Sequence, residues 1–211
     1  MKIRLILITI IIAAVTIVAF SGAFVSAVAK EFTANRQQVQ MLESPNNTSA
    51  ETYRETVERF CLKYDFSEYS DVVLRMVCVY SETHTTDVLN ASFSYLNTKY
   101  EHKNEGILNP EYSIEIGITQ IKEWAEYTEK NYLLNLIEDD KALLVLLQAY
   151  EFQDKGYIDY AIGKGYSPTS AVDYCSSKAF NSEKNLSNID FNFAAKVDNC
   201  ILQDFAFSED D

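Results

Sequence analysis

The chain has 211 residues, 47% of them hydrophobic, and carries 31 acidic against 18 basic side chains for a formal net charge of −13. That length fits one folded domain with a real core, and the negative balance excludes nucleic acid, whose phosphates demand the opposite sign. The two histidines, His84 and His102, are not at ligand spacing and no cysteine pair forms a CxxC, so neither a metal nor another cofactor is expected.

Leu5 to Ala29 is uncharged over 25 residues, with Lys2 and Arg4 before it and Lys30 and Glu31 behind. About 20 apolar residues in a helix cross a bilayer, so residues 5–29 read as a transmembrane anchor. Positive residues stay inside, which leaves residues 1–4 cytoplasmic and sends everything after Lys30 outside. Without Lys2 and Arg4, 16 basic and 31 acidic side chains give the exported part a net charge of −15. Ala27, Val28 and Ala29 form an A-x-A cleavage site, and the alternative is a signal peptide with a secreted product.

Residues 30–50 hold the SPNNTS cluster and no sustained apolar period, so they read as a stalk. The folded domain is expected over 51–205, and 206–211, ending in SEDD, as a solvated acidic tail. Cys61, Cys78, Cys175 and Cys200 permit two disulfides in three connectivities in an exported chain. Buried thiols are the alternative, Cys78 lying within the apolar VVLRMVCVY.

The period within the domain is helical. Val57, Phe60, Cys61 and Tyr64 share one face, and Val72, Val73, Met76, Val77 and Tyr80 repeat the pattern in a helix apolar almost all round, expected to be central. Between them Ser67 is the expected N-cap. Asn109, Pro110 and Glu111 start another helix, buried through Ile114, Ile118, Ile121 and Ala125. Asp139 and Asp140 cap the next, carrying Leu143, Leu144, Leu147 and Tyr150, with Gly156 ending it or its following turn. Ser167 and Pro168 open a helix through Ala171, Tyr174 and Cys175, and Phe193, Val197, Cys200 and Ile201 suit a last one. No segment alternates as a strand does, so the fold is expected to be all-α.

Glu82 stands at the C-terminal end of the most apolar helix. Desolvation by its neighbours and the partial negative charge of the helix end would both favour a proton there. A carboxylic acid kept protonated near neutral pH is what glycosidic cleavage asks of a general acid. The plainer alternative is a solvent-facing Glu that opens a loop.

The order of segments over about residues 55–180 resembles the lysozyme-like domain of CwlT-type cell-wall hydrolases from Gram-positive conjugative elements, a branch of the goose-lysozyme and soluble transglycosylase superfamily. The stretch NEGILNPEYSIEIG agrees best, with Asn104, Ile107, Asn109, Pro110, Glu111, Ser113, Ile114 and Gly117 on the pattern N-x-I-x-(D/N)-P-E-x-SI-x-x-G. The last motif, Q-x-YNFG-x-GYI, is met by Gln148, Tyr150, Phe152, Gly156, Tyr157 and Ile158. Departures fall on the cleft. Thr83, His84 and Thr85 follow Glu82 where the pattern ESGG has a serine and two glycines, Leu89 and Asn90 replace MQ, Phe93 replaces a second Glu, and Glu151 and Gln153 replace the Asn and Gly of YNFG.

The resemblance implies an all-α, lysozyme-like domain that meets peptidoglycan glycan strands, with Glu82 as general acid between N-acetylmuramic acid and N-acetylglucosamine. Asp87 would position a water or else cap the loop. Asn90, Ser92 and Tyr157 would bond sugar hydroxyls or N-acetyl groups, Tyr157 alternatively covering the core. Tyr150 would sit at the cleft edge, and Glu151 would either face Glu82 or point outward as a solvated turn residue. The implied protein is a membrane-anchored muramidase-like hydrolase, or lytic transglycosylase, that opens the wall for a secretion or conjugation apparatus. The alternative is a catalytically inactive glycan-binding or assembly module of that apparatus.

Overall fold

A computed structural model describes residues 48–179 and 189–200, all within a unit spanning Ser44–Asp211. Among them the helices are α1 (Thr48–Lys63), α2 (Ser70–Tyr80), α3 (Pro110–Tyr132), α4 (Asp140–Phe152), α5 (Gly156–Ala161), α6 (Pro168–Ala179) and α7 (Phe193–Asn199). Single 3-10 turns occupy Ser67–Tyr69 and Ala91–Phe93, and no strand occurs among the described residues. The all-α expectation holds there.

The near-uniform apolarity of α2 has its expected result: Val72, Val73, Leu74, Met76, Val77, Cys78, Val79 and Tyr80 are all buried. The helix packs against α1 and α7, while α4 packs against α3, α5 and α7. Aromatic rings bind these layers together, with Tyr80 stacked on Phe193 at 4.5 Å between centroids and Trp124 edge-on to Tyr150 at 6.5 Å. Each such buried side chain contributes roughly 1.5–3 kcal/mol by leaving water.

Three helix starts form as the sequence dictates. Asn109 accepts from the Tyr112 N–H at 3.2 Å beside Pro110, Asp139 accepts from Ala142 N–H at 3.0 Å, and Ser167 Oγ accepts from Ser170 N–H at 3.0 Å. Ser67 does not cap a helix. It begins the 3-10 turn, because Phe66 and Tyr69 stack at 4.1 Å and are drawn into the core, which delays the helix to Ser70. Gly156 ends the turn that follows α4, the second of the two expected places, and there opens α5. The earlier stop is at Gln153, whose left-handed φ of 50° closes α4 after Phe152.

Helix α1 starts at Thr48, where composition alone reads stalk, and already buries Ala50. No disulfide joins Cys61, Cys78, Cys175 and Cys200, and each is buried. No described helix is long and apolar enough to cross a membrane. The expected anchor at Leu5–Ala29 and the acidic tail lie outside the described residues, as does Ile201.

Candidate functional site

Helix α2 ends at Tyr80, and the chain turns through Ser81, Glu82 and Thr83, with Thr83 and His84 N–H both donating to the Tyr80 carbonyl. Glu82 is exposed, which corrects the expectation of a desolvated acid. The reason is rotation. Tyr80 faces the core, and two residues further along a path that still turns helically lie about 200° round the axis, on the solvent side.

Asp87 organises the loop that follows. It is 0% exposed. Its Oδ1 accepts from Ala91 N–H at 2.8 Å and Ser113 Oγ at 2.7 Å, and its Oδ2 from Ser92 N–H at 3.0 Å and from the Ser92 hydroxyl. Ser92 Oγ in turn accepts from Ile107 N–H, and Ser113 Oγ from Leu89 N–H, each at 3.1 Å. Both carboxylate oxygens are thus filled by the chain's own donors, so Asp87 caps the loop and does not hold a water. Ser92 is buried in the same network and does not face a ligand. A second hub lies just beyond: buried Asn97 donates to the carbonyls of Ser92 and Tyr100 and accepts from Tyr100 N–H at 3.1 Å.

Asn90 is half-buried and takes a left-handed φ of 47°, its N–H donating to Asp87 O at 2.7 Å. Its side chain lies near the Tyr80 hydroxyl at the end of α2. Tyr150, expected at a cleft edge, is 0% exposed and donates to Leu89 O at 2.7 Å from beneath. Gly117 makes room for this contact. A Cβ there would come within 2.7 Å of the Leu89 side chain and 2.8 Å of Tyr150 Oη.

Glu151 neither faces Glu82 nor points outward. It is 6% exposed, accepts from Tyr80 Oη at 2.7 Å and Asp190 N–H at 2.9 Å, and clasps α2 to the segment entering α7. Burial lifts its carboxyl to about 7, against the partial opposition of these two hydrogen bonds. Lys196 pairs with Asp190 at 2.7 Å on the same segment. Tyr157 is also interior, packed edge-on against Phe152 at 5.0 Å and Tyr174 at 5.2 Å, with its hydroxyl 3.2 Å from Ser170 Oγ. It covers the core. Gln153 explains the glycine in the family motif, because this position needs φ of 50°, which a side chain resists. Here Gln120 Nε2 donates to Gln153 Oε1 at 2.8 Å and Gln153 Nε2 to Tyr150 O at 3.0 Å, holding the turn without glycine.

Of the seven expected site residues, buried Asp87, Ser92 and Tyr150 and half-buried Asn90 form one support, Glu151 and Tyr157 belong to the core, and Glu82 reaches solvent. Reasoning from sequence missed Ser113, Tyr80 and Asn97 as parts of the support. Ser113 sat on the family pattern, and its small hydroxyl between apolar Tyr112 and Ile114 was the available signal. Sequence reasoning also missed three exposed apolar side chains in the neighbouring segments, Phe93, Tyr95 and Leu108, which are 41%, 60% and 69% exposed. Ala91, Ile107 and Tyr112 form a small second core, with Tyr100 and Ile116 packed against it.

The Lysozyme-like family model matches residues 48–202, and the chain belongs to that family. Among solved structures it is similar to a Staphylococcus aureus protein described as similar to a lipoprotein of the NLP/P60 family, with a TM-score of 0.57 and 16% identity over 81% of this chain and 57% of that one. At that identity the likeness is one of fold. The chain therefore spans little more than half of that protein's length. No curated protein matches it.

Proposed function

We propose that the chain is a CwlT-type lysozyme-like module that binds peptidoglycan glycan strands without cleaving them, held at the outer face of the membrane by Leu5–Ala29. The observation that carries this reading is an exchange on one loop. Asp87 is locked inside it, while Phe93 stands exposed where the resemblance expects a second carboxylate. Acid chemistry has given way to apolar surface, and exposed aromatic faces suit the flat C–H faces of sugar rings. Tethering and wall contact together suit an assembly role beside a secretion or conjugation channel.

One observation favours a second reading, that of a muramidase: Glu82 is open to solvent at the end of α2, where a bound polymer has access to it. Insoluble, purified cell walls separate the two. Incubated with the full chain in mild detergent, they should retain the protein on sedimentation and release no soluble muropeptides. Release that disappears in Glu82→Gln would establish the enzyme instead, and a protein left wholly in the supernatant would sink both readings.

A further inference from the structure

We propose that Cys78 and Cys200 form a disulfide in the mature protein, clasping the end of α7 to the central helix α2. Four cysteines allow three connectivities, and the fold selects between them. Cys78 lies in the last turn of α2 and Cys200 directly follows α7, two helices that pack on each other. Both side chains are buried, and the two sulfurs lie close enough for each to perturb the other's ionisation. Cys61 has a different partner, the Ser70 hydroxyl.

The pair is also chemically asymmetric. The neighbouring Cys78 thiol, followed by the nearby Arg75 guanidinium, holds Cys200 below the usual thiol range despite its burial, whereas Cys78 is raised. Thiolate is the attacking form, and the exchange is written from Cys200. Its sulfur attacks an external disulfide RS–SR, such as oxidised glutathione or the active disulfide of an oxidoreductase, expelling one RS⁻ and leaving a Cys200–SR mixed disulfide. Cys78 sulfur then attacks Cys200 Sγ, its proton passing to the second RS⁻ as that leaves. Two thiols are oxidised by two electrons, and one external disulfide is reduced to two thiols. An exported chain meets such oxidants, so the timing of the bridge rests on the export reading while its geometry does not.

The bridge would join residues 122 apart in sequence, a long loop whose closure restricts the unfolded chain strongly. It would also anchor the turn bearing Glu82, four residues after Cys78.

The test uses the full chain in detergent, refolded from denaturant in a glutathione redox buffer so that burial presents no kinetic block, then alkylated, digested and weighed. A Cys78–Cys200 linked peptide two hydrogens lighter than the reduced pair is expected. Reduction should lower the melting temperature by on the order of 10 °C, and Cys200→Ser should melt at the reduced value with or without reductant. Alkylation of both cysteines after refolding with excess oxidised glutathione, or linkage of either to another cysteine, overturns the proposal. No wall polymer enters this experiment, so its outcome is independent of the binding reading.

Discussion

Tyr80 Oη donates to Glu151 Oε2 at 2.7 Å, placing a carboxyl inside the packing of α2, α4 and the segment that enters α7. Burial raises that carboxyl from 4.5 to about 7. Between those values the folded chain holds a proton that the unfolded chain has released, so the contribution of Glu151 to stability falls as pH rises through the window and stays at its lowest above it. The change is roughly 3 kcal/mol. Denaturant titrations from pH 4.5 to 8 should show wild type losing stability relative to Glu151→Gln, and a constant difference between the two would refute the assignment.

Removing the Asp87 carboxylate strands two backbone N–H groups and two hydroxyls in the interior. Buried donors without acceptors cost about 1–3 kcal/mol each, so Asp87→Ala should lose at least about 3 kcal/mol in urea unfolding and open residues 88–97 to proteolysis. Asp87→Asn, which keeps one acceptor, should lose less. A loss below about 1 kcal/mol for the alanine variant would show that the loop is held by something else.

Gly117→Ala raises helix propensity by about 1 kcal/mol but drives a methyl group into Leu89 and Tyr150. Overpacking of this kind costs about 1–3 kcal/mol, and the backing of the loop would shift with it, so a net loss of stability is expected. Gly163→Ala, with nothing within 4 Å of the added carbon, is the control and should be near neutral. Equal melting temperatures for the two variants would contradict the close approach at Gly117.

Phe93→Ala and Leu108→Ala remove exposed apolar surface and should change stability by less than about 0.5 kcal/mol. Under the binding reading, the double variant should co-sediment with peptidoglycan several-fold less than wild type. Unchanged retention would move the contact surface elsewhere.

Much of the fold was legible because it rests on local chemistry. Asn109 with Pro110, Asp139 and Ser167 cap their helices through bonds reaching only three residues, and the apolar face of α2 is a matter of spacing. The site was less legible, because its bonds are long-range. Nothing near Asp87 in the chain indicates that Ser113 will fill its Oδ1, and nothing near Glu151 announces Tyr80, 71 residues away. At Glu82 the solvent-facing alternative holds, because an apolar helix does not imply an apolar end: the chain leaves the core within two residues of Tyr80. Gln153 shows the converse: its φ of 50° keeps the geometry that glycine serves in the family motif, with hydrogen bonds replacing conformational freedom.

The Asp87 and Asn97 hubs tie residues 87–100 together through the chain's own hydrogen bonds, which under the binding reading are in place before a ligand arrives. A segment already fixed by its own bonds has no freedom left to surrender on encounter, whereas a loop that must settle around its ligand gives up about 1–2 kcal/mol for each residue ordered. Capture at this face would then be limited by diffusion and orientation rather than by closure, and a polymer sliding past would find the same contour at every approach.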